Sequence, residues 1–98
     1  MKKKVSETFL VEGGRVADEA ALQAFVKAVG PVYKEFGGET RQRLRGEDGE
    51  VLVTSAFPDA KAVERMMASP QYAALLTLRG VGLDGWRCTV MTSKWGSK

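Results

Sequence analysis

Arg41, Arg43 and Arg45 recur at every second position of one short polar stretch, and their spacing is the first sign of chemistry. In an extended chain alternate residues share a face, so three guanidiniums would line one side of a strand. A guanidinium presents planar, paired donors that suit a carboxylate or an enolate. On that ground Arg43 is the leading candidate for ligand binding. The competing expectation is structural: the arginines pair with Glu12 or with acids of a partner chain and protect a strand edge from aggregation. Arg41, Glu12, Thr54 and Arg87 join Arg43 as candidate ligand contacts, because alternation puts them on one sheet face. Tyr33, Tyr72 and Trp86 offer stacking surfaces or proton donors, although packing is the plainer use of an aromatic ring. Asp84 is the best-placed isolated carboxylate.

The chain has no histidine. That removes the commonest general base near neutral pH, the Ser-His-Asp and Cys-His arrangements, and the commonest haem and zinc ligand. No metal and no cofactor are expected. Cys88 is the single cysteine, cannot form an intrachain disulfide, and reads as a small buried hydrophobe. Catalysis, if present, would rest on Arg, Glu, Asp, Tyr, Lys or positioning.

With 98 residues, 44% hydrophobic and 28% charged, the chain reads as one soluble domain spanning its whole length. A net charge of +3 is too small to argue for nucleic acid, and Lys2, Lys3 and Lys4 read as a solvated basic tail, residues 1–4. No apolar run suits a membrane span or a signal peptide, so neither nucleic acid nor membrane is an expected partner. Cytoplasmic residence is the default expectation.

The elements follow from periodicity. A first strand is expected from about Val5 to Glu12, with a Gly13-Gly14 irregularity after it. Asp18 suits a helix N-cap, and Leu22, Phe25, Val26, Val29, Val32, Tyr33 and Phe36 form one apolar stripe behind it. Pro31 predicts a kink or break in that helix, and Gly37-Gly38 its end. A polar strand over 39–45 and an apolar one over 50–57 flank a Gly46-Glu47-Asp48-Gly49 hairpin turn. A second helix opens after Pro58-Asp59, breaks at Ser69-Pro70 and closes at Gly80; a last strand covers about 86–93. Gly80-Val81-Gly82-Leu83-Asp84-Gly85 has G-x-G-x-x-G spacing, but it follows a helix and precedes a strand, the reverse of a dinucleotide site.

The order βαββαβ predicts an α+β, ferredoxin-like, four-stranded antiparallel sheet of spatial order 4-1-3-2, with helices on one face. Phe9, Val11, Val51, Val53, Phe57, Cys88 and Val90 are expected to face the helices. Thr8, Leu10, Glu12, Arg41, Arg43, Leu52, Thr54, Ala56, Arg87, Thr89 and Met91 would then form the other face. The triplets Phe9-Leu10-Val11 and Val51-Leu52-Val53 place hydrophobes on both faces, so the uncovered one predicts a homodimer. Half apolar and half polar, that face also suits a lumen for a small organic molecule, amphipathic or anionic.

The run from Phe57-Pro58-Asp59 through Ser69-Pro70-Gln71-Tyr72 to Leu78-Arg79 resembles the family of domain of unknown function 1330. Phe9-Leu10-Val11, Asp18-Glu19-Ala20, Pro31, Gly37-Gly38 and Arg43 resemble it in the N-terminal half. The chain departs from the family pattern at Leu44-Arg45, Ala56, Met66 and Met91. The resemblance implies the dimeric α+β barrel superfamily, in which two ferredoxin-like protomers pack sheet against sheet. It implies no assigned chemistry. The function expected is therefore a cofactor-free, small-molecule-binding homodimer of isomerase, cyclase or monooxygenase type, its substrate held in the barrel. The alternative is a non-catalytic binding or assembly dimer whose lumen its own side chains fill.

Overall fold

The computed structural model describes residues 7–92, so the expected basic tail and the outer ends of the expected first and last strands lie outside the described residues. Strand β1 spans Thr8–Val16, longer than expected, and the Gly13-Gly14 irregularity falls inside it, where its register with β4 shifts between Gly13 and Arg15. Helix α1 spans Glu19–Glu35, and the Asp18 carboxylate caps it by accepting from the Ala21 N–H at 3.0 Å. Pro31 does not break α1 as expected. It costs one backbone hydrogen bond, while burial of Leu22, Phe25, Val29 and Tyr33 along one stripe holds both halves to the sheet. Gly37, at φ +83, takes the left-handed turn after the helix, and the Gly38 N–H donates back to the Tyr33 carbonyl at 2.8 Å.

Strands β2 (Glu39–Arg45) and β3 (Glu50–Phe57) form the expected hairpin, closed by the Gly46 N–H donating to the Glu50 carbonyl at 2.8 Å. Helices α2 (Ala60–Met67), α3 (Pro70–Ala73) and α4 (Leu76–Gly82) follow, with Pro70 opening α3 and the Ser69 hydroxyl accepting from the Tyr72 N–H. α4 continues past Gly80 to Gly82 because its last turn lies directly on α1. A Cβ at Gly82 would stand 2.7 Å from the Leu22 nitrogen. β4 (Leu83–Thr92) therefore begins earlier than expected, and Asp84 lies within it, opposite Arg15, rather than in a loop. The glycine-spaced run from Gly80 to Gly85 ends a helix and starts a strand.

The sheet order is β2-β3-β1-β4, all pairs antiparallel, which is the ferredoxin-like order expected. The core joins Leu10 and Phe57 of the sheet to Phe25, Val29, Tyr33, Val63, Met66 and Tyr72 of the helices. At 25 cal/mol per Å² of apolar surface, such side chains each contribute roughly 1.5–3 kcal/mol.

Two details of register correct the face assignment. On β1 the helix side takes Thr8, Leu10 and Glu12, all buried, while Phe9 and Val11 point to the bare side. Leu10 pairs with Ser55 and Glu12 with Val53, so Val51, Val53, Ser55 and Phe57 share the covered face. On β2 a bulge between Thr40 and Gln42 inserts Arg41 as an extra residue. Simple alternation from Thr40 would aim Arg43 at the bare face. The bulge reverses the parity and pairs Arg43 with Val53, on the helix side. Leu44, Leu52, Thr54, Arg87, Thr89 and Met91 remain on the bare face.

Candidate functional site

Both corrections act on the same place. They carry Glu12 and Arg43 together from the bare face to the covered one, where α1 brings Tyr33 and β4 brings Trp86. These four residues line one cavity of about 70 Å³ between α1 and the sheet, its walls otherwise largely apolar and including Phe25, Val29 and Leu83. The chamber is therefore not the sheet-to-sheet lumen expected from the sequence.

Glu12 is the polar head of the cavity. It is 6% exposed, and the Tyr33 hydroxyl donates to its Oε1 at 2.5 Å. Its Oε2 is buried without a partner, and so is the Trp86 indole Nε1. Burial pushes the Glu12 pKa above the usual carboxylate range. The Tyr33 hydrogen bond, the Arg79 charge and the Trp86 N–H pull it partly back. Burial also pushes the Tyr33 hydroxyl up, reinforced by the neighbouring Glu12 charge, so Tyr33 stays a donor. Tyr33 is held in turn by an edge-on contact with Phe57, ring centroids 5.5 Å apart.

Arg79 supports the site from behind. Its guanidinium lies 3.6 Å from the centroid of the Trp86 ring and donates to the Tyr72 hydroxyl at 2.8 Å. Burial and the Glu12 charge raise Tyr72 to about 12. Arg79 was not among the sequence candidates; it lies on α4 and reaches Tyr72 across the turn from α3. Thr40 was also missed. It lies on the helix side opposite Ser55, before the β2 bulge, where simple alternation already places it.

The arginine row divides three ways. Arg41 is bound to Glu7 at 2.7 Å and to Glu39 at 3.1 Å, and Arg45 holds both carboxylate oxygens of Glu19. Both are ion-paired, but to acids of their own chain rather than to Glu12 or a partner's acids as expected. Arg43 forms no ion pair and no side-chain hydrogen bond among the described residues, and it lines two spaces at once. One is the inner cavity; the other is an outer cleft of about 450 Å³ that also takes in Gly30, Lys34 and Thr40. Of the remaining candidates, Thr54 lies on the bare face, and Arg87 lies there 3.6 Å from Glu50, so neither reaches the cavity. Cys88 faces the helix side opposite Glu12, and burial followed by the Glu12 charge raises its thiol pKa, away from reactivity.

No group of three metal-ligating side chains occurs among the described residues, and none of their helices is long and apolar enough to cross a membrane.

An antiparallel four-stranded sheet in the order β2-β3-β1-β4, with helices on one side, is the ferredoxin-like fold. SnoaB, a cofactor-independent oxygenase from Streptomyces nogalater, aligns with a TM-score of 0.74 at 17% identity, over 96% of this chain and 98% of that one. A protein of unknown function from Rhodopseudomonas palustris aligns at 0.71 and 16%, over 90% and 82%. A nipsnap family protein of unknown function from Agrobacterium tumefaciens aligns at 0.61 and 20%, over 93% and 91%. At these identities the likeness is one of fold. The chain belongs to the family Domain of unknown function (DUF1330), whose model matches residues 7–92. A search of curated proteins finds no match.

Proposed function

We propose that the protein is a homodimer that binds a small organic anion between α1 and the sheet, its apolar end inside the cavity and its acidic group at Arg43. One observation carries this reading. Arg43, the one arginine of its row without an acidic partner among the described residues, stands where an apolar chamber with a buried carboxyl opens into a polar cleft. Its neighbour Lys34 adds positive charge to that cleft. Long-range attraction would draw an anion there, and a paired guanidinium contact would orient it.

Pairing rests on the bare face of the sheet. Leu44, Leu52 and Met91 are 50%, 40% and 55% exposed there, beside half-buried Phe9 and Val11. All the helices lie on the other side, so a second sheet is the cover that matches this surface in shape and polarity.

Catalysis fits the same geometry without a cofactor. Enclosure, orientation and arginine-stabilised negative charge suffice for isomerisation, cyclisation or oxygenation, and Glu12 adds a buried proton-transfer group at the inner end. The size of the chamber favours a second reading, a non-catalytic binding module. At about 70 Å³ it is smaller than the roughly 150 Å³ that accommodates a benzene ring.

Calorimetric titration with benzoate tests the site. Wild-type protein is expected to bind it, and Arg43→Ala to lose at least about tenfold in affinity while keeping its melting temperature, because Arg43 holds no internal partner. Equal affinity in the two proteins would remove Arg43 from the site. A variant that unfolds would show the arginine to be structural.

A further inference from the structure

The unpartnered atoms Glu12 Oε2 and Trp86 Nε1 belong to residues lining the same cavity. Native proteins rarely leave such atoms alone, and two in one small chamber point to a third group that satisfies both. The Trp86 N–H is near enough to hold down the Glu12 pKa, yet it closes no hydrogen bond to the carboxyl.

The chemistry of that group follows from its hosts. Indole N–H only donates. The Glu12 carboxyl accepts when ionised and donates when protonated, and Tyr33 already occupies its Oε1. A carbonyl oxygen would meet only the protonated acid. A hydroxyl meets both forms, because it accepts from Nε1 while either donating to Oε2 or accepting its proton.

The chamber's size sets the rest of the molecule. About 70 Å³ admits the hydroxyl and the edge of a ring, and the body must extend past Gly30 and Thr40 into the outer cleft, toward Arg43 and Lys34.

We propose that the cavity is a hydroxyl-recognition site: a small hydroxyaryl carboxylate enters with its hydroxyl bridging Glu12 and Trp86 and its acid at Arg43 and Lys34. This names the ligand class of the site proposed above and rests on that reading.

Three probes separate the two ideas: 4-hydroxybenzoate, benzoate and 4-methoxybenzoate, titrated calorimetrically into the full-length protein. Wild type should bind 4-hydroxybenzoate at least about tenfold more tightly than either of the others. Trp86→Phe keeps an aromatic ring beneath Arg79 and removes only the donor. Glu12→Gln keeps an acceptor for Tyr33 and replaces the free oxygen by an amide. In both, checked for native circular dichroism, the preference for 4-hydroxybenzoate over benzoate should fall below about threefold. Equal binding of all three probes by wild type would overturn hydroxyl recognition and leave the anion site standing. A preference that survives both substitutions would place the hydroxyl elsewhere and also overturn it. Failure of every probe to bind would overturn the anion site and this inference together.

Discussion

The two faces of the sheet carry similar side chains and have opposite fates. Under the helices, Leu10, Ser55 and Phe57 are almost wholly buried, and the polar Thr8 and Glu12 are buried with them. On the other side Leu52 and Met91 stay 40% and 55% exposed, although they are as apolar as anything in the core. Hydrophobicity therefore does not decide which face is covered. Cover comes from the two crossover connections, which place every helix on the same side and leave the sheet's second apolar face bare. In the function proposed above, the covered face would bind the ligand and the bare face would pair with a second copy.

The strongest way to break this contrast is Leu52→Glu. In the proposed pair it would bury a carboxylate from each protomer at the sheet-to-sheet contact, weakening association on the order of 100-fold or more. Sedimentation at micromolar concentration should find a folded single protomer with unchanged helix content. A dimer that persists would move the pairing surface elsewhere.

A smaller effect is expected on the covered side. Tyr33→Phe removes the donor to the Glu12 Oε1 and leaves the carboxyl buried with neither oxygen paired, destabilising the fold by about 1–3 kcal/mol. Urea denaturation measures it. A change below about 0.5 kcal/mol would mean that water already satisfies Glu12.

The smallest effect is a slope with pH. Folding raises the Glu12 pKa above its unfolded value of 4.5, so the native state favours the protonated acid. That contribution is fully present below pH 4.5 and is lost as pH rises through the raised value. Glu12→Gln should remove the loss, so the variant gains stability relative to wild type between acid and neutral pH. Parallel melting curves across that interval would sink this account of Glu12 burial.

Sequence alone exposed the strand order, both helix caps and the Ser69-Pro70 break, because each depends on local chemistry: an Asp or Ser that accepts first-turn N–H groups, a proline at a helix start, a glycine at its end. It also named Glu12, Tyr33, Arg43 and Trp86, four residues that the structure brings to one cavity. What it missed was the side of the sheet. Glu12 reads as facing away from the helices until Tyr33, 21 residues away, supplies a donor inside the core. Phe9-Leu10-Val11 fits either parity, since period-two alternation carries no preference when every position is apolar. Arg43 changes face through one extra residue at Arg41, and a bulge has no composition of its own. Local rules fixed the elements, while long-range partners chose their faces.

The most direct test of the division between faces is a benzoate titration of ¹⁵N-labelled protein followed by amide and indole resonances. The account predicts shifts at Gly30, Thr40, Arg43 and the Trp86 indole N–H, with Leu52, Thr89 and Met91 unmoved. Shifts confined to Leu52, Thr89 and Met91 would put the binding site on the bare face and contradict it.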